Sequence, residues 1–71
     1  SDAVTYAIVG TRATHQLQYG ETLVKLARKY YGNKKLWPYI ARDNKEALAD
    51  VDNIPVGTTI RIPELSEEKT K

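Results

Sequence analysis

Two stripes of identical spacing limit what this chain can become. Leu23, Leu26, Ala27 and Tyr30 fall at i, i+3, i+4 and i+7, and Trp37, Ile40, Ala41 and Asn44 repeat the pattern. Each set lies along one side of a helix. About three residues part the two helices, so they run roughly antiparallel or cross steeply. The ends of the first helix are marked as well. Thr22 is an N-cap whose hydroxyl can accept from an amide of the first turn. Glu21 sets negative charge near the positive helix end, and Arg28 and Lys29 sit in the last turn, where the dipole favours cations. Gly32 supplies a left-handed stop. Pro38 is tolerated only in a first turn, which starts the second helix near 35–37.

Alternating runs flank the helices. Residues 4–9 place Val4, Tyr6 and Ile8 on one side, and residues 14–18 place His15 and Leu17 on one face, continued by Tyr19. Period two over β-branched residues predicts strands. Gly10-Thr11-Arg12-Ala13 reads as a turn between them, which would make a hairpin. Ile54-Pro55-Val56-Gly57 reads as a type I turn, because Val stands where type II needs a positive φ. Residues 58–62 alternate again, and Pro63 is expected to end that strand. Its natural partner is the strand at 14–18, giving a β-α-α-β order. Between helix and strand, residues 45–53 are polar, with Leu48 and Val51 as anchors and room for another helical turn. The expected fold class is α+β, with both helices on one side of a short antiparallel sheet and an extra N-terminal strand from residues 1–13. The domain proper is expected at 14–65, and Ser66 to Lys71 as a disordered polar tail.

Seventy-one residues without cysteine make one small core with no disulfide to staple it. No apolar run approaches the ~20 residues that cross a bilayer, so no membrane insertion is expected. No signal peptide is visible; an opening Ser1 and the absence of Met read as a piece of something longer. The net charge of +2 hides an asymmetry. Lys25, Arg28, Lys29, Lys34, Lys35, Arg42 and Lys45 face one acid, Asp43, whereas the chain from Glu46 onward is net acidic. The basic stretch is either the wet side of two helices or a surface for an anionic partner.

The ordered set of Gly20-Glu21-Thr22-Leu23, Leu26-Ala27, Tyr31-Gly32, Trp37, Asn44 and Ile54 to Pro63 resembles the lysin-motif (LysM) family. The resemblance covers about residues 14–65. It departs from the family pattern at Val56, where Pro often precedes the turn glycine, and in the length of the 44–54 loop. The resemblance implies a bacterial, non-catalytic module that binds N-acetylglucosamine-containing chains, peptidoglycan foremost, in a shallow groove between two loops. Carried over by position, one wall is Tyr19, Gly20, Glu21, Thr22 and Leu23, and the other is Asn53, Ile54, Pro55, Val56 and Gly57. It also implies a monomer in the cell envelope, periplasm or cell wall. The alternative is an accessory interaction domain of a larger, cytoplasmic, nucleic-acid-associated protein without glycan binding.

The residues themselves favour binding over catalysis. His15 is the only histidine and there is no cysteine nucleophile, so a nucleophilic triad is not expected. His15, beside Leu17 on a strand, reads as a partly buried structural residue. Asp43, Asp50 and Asp52 match no calcium loop, and no metal or cofactor is expected. An N-acetyl group offers an amide donor, a carbonyl acceptor and a methyl. Loop amides and carbonyls can meet the first two, and Ile54 can cover the methyl. Three or four hydrogen bonds at ~1 kcal/mol each give only about 3–4 kcal/mol, a millimolar site. Trp37 and Tyr30 are expected in the core, Tyr31 and Tyr39 at edges, and Tyr19 at the mouth of the first loop. Nucleic acid is the rival ligand, since Tyr30, Tyr31, Trp37 and Tyr39 interleave with the basic residues.

Overall fold

The computed structural model describes residues 4–68. Their order is β1 (Thr5–Gln16), α1 (Leu23–Tyr31), a single 3-10 turn (Lys34–Leu36), α2 (Trp37–Asp43) and β2 (Thr59–Glu68). The two strands pair antiparallel in one sheet, so the architecture is the α+β, β-α-α-β arrangement. One hydrophobic core joins the helices to the sheet: Leu17, Leu23, Leu26, Ala27, Ile40, Leu48, Ile60 and Ile62.

α1 follows its local signals. Thr22 Oγ1 accepts from Lys25 N–H at 3.2 Å, and Gly32, in the left-handed region, ends the helix by donating to Arg28 O at 2.9 Å. Asn33 caps the 3-10 turn through Lys35 N–H at 3.0 Å, and Pro38 lies in the first turn of α2.

The strands differ from the sequence expectation. Residues 5–16 are one strand, not two strands joined by a turn at Gly10–Ala13. That strand pairs with β2 from Gln16↔Thr59 to Thr5↔Glu68. Val9 and Arg12 are extra residues on β1, each a bulge. Pro63, opposite Thr11, lies between the two bulges. Proline cannot donate to a ladder and is tolerated at bulges and edges, so β2 runs through Pro63 instead of ending there. Ser66, Glu67 and Glu68 are therefore strand rather than loose tail; the expectation for 69–71, and that for residues 1–3, lies outside the described residues.

The far half of this ribbon belongs to the folded unit. Tyr39 Oη accepts from Tyr6 N–H at 3.0 Å, and the two rings meet edge-on at 5.7 Å. Arg12, pushed out by its bulge, forks onto both Glu64 oxygens at 3.0 and 3.1 Å and donates to Tyr30 O near the α1 C-terminus. Its hydrogen bond holds the Glu64 carboxyl below the usual range. Tyr31 Oη donates to Pro63 O, and burial pushes that phenol up to about 12, so it stays a donor.

Asn44 fastens α2 to the sheet. It is 5% exposed. Its Oδ1 accepts from Arg61 N–H at 2.9 Å, and its Nδ2 donates to Arg61 O at 2.8 Å and Ile40 O at 2.7 Å. A carboxamide is the side chain that carries a donor and an acceptor in one plane, and here it satisfies the outer edge of β2. Arg61 in turn donates from Nε to Asp43 Oδ2 at 2.8 Å.

Candidate functional site

The sheet ends by tying two loops together. Leu17 N–H donates to Thr58 O at 2.9 Å and Leu17 O accepts from Gly57 N–H at 2.8 Å. The loop leaving β1 and the loop entering β2 therefore start side by side, at one end of the molecule.

Both loops are sharp turns of the same kind. Glu21 N–H bonds Gln18 O at 3.1 Å, with Gly20 at φ 84°. Thr58 N–H bonds Pro55 O at 3.2 Å, with Gly57 at φ 89°. Tyr19 and Val56 keep negative φ, so each glycine occupies the position that makes a type II turn. This corrects the type I turn expected at 54–57. The Gly57 amide is taken by Leu17 across the loops, so the turn closes one residue later, at 55–58.

Glu21 braces the first loop. Its Oε1 accepts from Gln18 N–H at 2.7 Å and lies 2.8 Å from His15 Nε2, while His15 Nδ1 lies 2.8 Å from Tyr30 Oη. A neutral ring protonated on Nε2 donates to Glu21 and accepts from Tyr30. The His15 bond, then the Gln18 amide, holds the Glu21 carboxyl below the usual carboxylate range. Both ring nitrogens of His15 are thus engaged within the fold. Lys25 Nζ donates to Gly20 O at 2.8 Å and adds a strut from α1. On the other side, Asp50 organises its own turn, accepting from Asp52 N–H through Oδ1 at 2.9 Å and from Asn53 N–H through its carbonyl at 3.2 Å.

Between the loops lies an open cleft of ≈380 Å³, in the lower part of the range for small-molecule sites, about 300–1,000 Å³. Of the ten residues expected on its walls, Glu21, Thr22, Leu23, Asn53 and Ile54 line it. Tyr19, Gly20, Pro55, Val56 and Gly57 are outside the lining; they shape the turns, and Tyr19 is 93% exposed at its tip. Five lining residues were not foreseen: Leu17, Val24, Trp37, Val51 and Asp52. Trp37, expected in the core, is only partly buried: it packs on the core and also lines the cleft. Val51, expected as an anchor, is 38% exposed, and Leu48 alone enters the core. The helical stripe gave the burial of Trp37 but could not show that its other side borders the 51–54 loop.

The arrangement suits recognition of a small, mixed polar and apolar group. Trp37, Ile54 and Val24 offer apolar surface, and Asn53 and Asp52 bring an amide and a carboxylate to one wall. A second cleft, ≈460 Å³, lies where α2 ends against the sheet. Its walls include Asp43, Asn44 and Arg61, whose polar groups already serve the fold. Among the described residues no helix is long and apolar enough to cross a membrane, and no cluster of three metal-ligating side chains forms. No family model matches the chain, and no curated protein matches it in sequence.

Proposed function

We propose that the chain is a lysin-motif module that holds an N-acetylglucosamine-containing glycan, peptidoglycan foremost, in the cleft between its two loops, without acting on it. The observation that carries this reading is the cleft beside the two turns, which are tied through Leu17: residues 21–24 face residues 51–54 across it, with Trp37 on its wall. An N-acetylated sugar presents flat apolar faces, a methyl and an amide. Trp37 and Ile54 match the apolar parts, and Asn53 together with exposed loop amides matches the polar ones. Glu21 braces the wall through Oε1, which serves His15 and Gln18, and it also lines the cleft.

The expected affinity is low. A few hydrogen bonds at ~1 kcal/mol net each, with partial burial of one sugar, place a single copy near the millimolar range. Useful retention on a polymer then comes from several copies or from attached domains. Such a protein works in the cell envelope, where this polymer lies.

Trp37 is the only tryptophan, which gives the test its readout. Titration with N-acetylglucosamine oligomers should shift or quench its fluorescence with a millimolar midpoint, and glucose oligomers of equal length should not. Unchanged emission throughout a millimolar titration, in a protein shown to be folded, would overturn the proposal.

A further inference from the structure

Apart from the cleft, the molecule carries a charge distribution that the glycan reading does not use. From Thr22 to Arg42 the chain has six cations, Lys25, Arg28, Lys29, Lys34, Lys35 and Arg42, and no acid. All six are exposed. The ion pairs among the described residues are Arg12–Glu64 and Arg61–Asp43, and the His15–Glu21 contact is a hydrogen bond. The strand arginines are thus neutralised, and none of the helical cations is. Lys25, Arg28 and Lys29 are neighbours on the outer face of α1, about 5–6 Å apart at Cβ. Lys34 and Lys35 follow on the 3-10 turn, which packs against α1.

We infer that this face binds the phosphate backbone of double-stranded nucleic acid, independently of base sequence. Duplex nucleic acid carries about one charge per 1.7 Å of axis and rewards clustered cations with counterion release. The structure also says which mode of contact is open. Tyr30, Tyr31 and Tyr39 have their hydroxyls engaged with His15, Pro63 and Tyr6. Lys29 lies over the Tyr30 ring at 5.5 Å and Arg42 over the Tyr39 ring at 5.0 Å. With those rings covered and Trp37 in the cleft, neither helix offers an aromatic platform for unpaired bases, which is what single-strand binders use; the one exposed ring, Tyr19, stands alone at the tip of the first loop. A membrane surface fits less well, because peripheral helices insert large apolar side chains, and the exposed apolar residue of α1 is Val24.

The test is anisotropy of a labelled, mixed-sequence DNA duplex titrated with the full chain across a salt series. The expected dissociation constant at physiological salt lies in the range of about 10⁻⁴–10⁻⁶ M, and log K falls with log salt by about 0.9 per phosphate contacted. Five contacts give a slope near −4.5; Lys25→Gln, Arg28→Gln and Lys29→Gln together remove about 2.7 of it, and Lys34→Gln with Lys35→Gln about 1.8. Circular dichroism checks that each variant is folded, and the slope of the unaltered chain stands on its own if one is not. A slope shallower than about −1, or one unchanged in both variants, overturns the inference. So does tighter binding, at equal salt, to phosphatidylserine vesicles or to the single strand than to the duplex.

Discussion

Replacing Asn44 by alanine should cost the fold about 3 kcal/mol. The magnitude follows from its partners. The side chain makes three hydrogen bonds of 2.7–2.9 Å, to Ile40 O and to both backbone groups of Arg61. Each is worth ~1 kcal/mol net when partners are lost and water can partly replace them. Arg61 sits at the outer edge of β2, so its bared N–H and C=O would be partly hydrated, which keeps the sum near that value. A chain of this length has a total stability of about 4–10 kcal/mol, so the variant would lie close to its unfolding threshold. Asn44→Asp is the sharper comparison. It keeps an acceptor for Arg61 N–H but turns a lone pair toward the two carbonyls that Asn44 now serves, and it buries a charge. At neutral pH it should lose at least as much as alanine. Urea unfolding followed by circular dichroism and by Trp37 fluorescence gives both free energies, and equal m-values show that the denatured state is unchanged. A loss under about 1 kcal/mol for both variants would refute the reasoning, because it would mean that solvent serves the Arg61 edge as well as the amide does.

Other substitutions probe the remaining supports. Gly57→Ala should cost about 1–2 kcal/mol by thermal melting, from backbone conformation alone, since φ is 89° and an added Cβ would meet nothing within 4 Å. Trp37→Ala should lose about 3 kcal/mol, the low end of the range for removing a buried aromatic, because the ring is only partly buried; Trp37→Phe should keep the fold and weaken the proposed glycan binding. Acid should destabilise the protein. Glu21 and Glu64 are both lowered from 4.5 in the folded state, so their contribution is present above that value and is lost as pH falls below it through the folded values. The melting temperature should drop below about pH 4.5, less steeply in Glu21→Gln and Glu64→Gln, and an acid limb identical in all three proteins would count against this assignment.

Elements with local punctuation were legible in the sequence. α1 is bounded by Thr22 and Gly32, whose roles depend only on neighbouring backbone, and α2 begins where Pro38 allows. The ribbon was misread for the opposite reason. Gly10 and Pro63 are breakers in most strands, and only pairing between distant segments shows that bulges at Val9 and Arg12 accommodate them. The type II turn at 55–58 was hidden in the same way, because the Gly57 amide is claimed by Leu17, forty residues away. In the cleft the turn chemistry located the two loops. Which side chains point between them depends on how the 3-10 turn and residues 51–54 pack, and this is why Val24, Trp37, Val51 and Asp52 were missed while Tyr19 and Val56 were included. Asn44 was legible as part of a pattern, and its physical work became visible only with Arg61 beside it.

The most direct measurement is an amide-resolved NMR titration of the labelled chain with N-acetylglucosamine oligomers. Progressive shifts confined to residues 21–24, the Trp37 indole and residues 51–54, saturating at millimolar ligand, are the expected result. A spectrum that stays still at those concentrations, or shifts that gather on the far half of the ribbon around Tyr6 and Tyr39, would contradict a glycan site between the two turns.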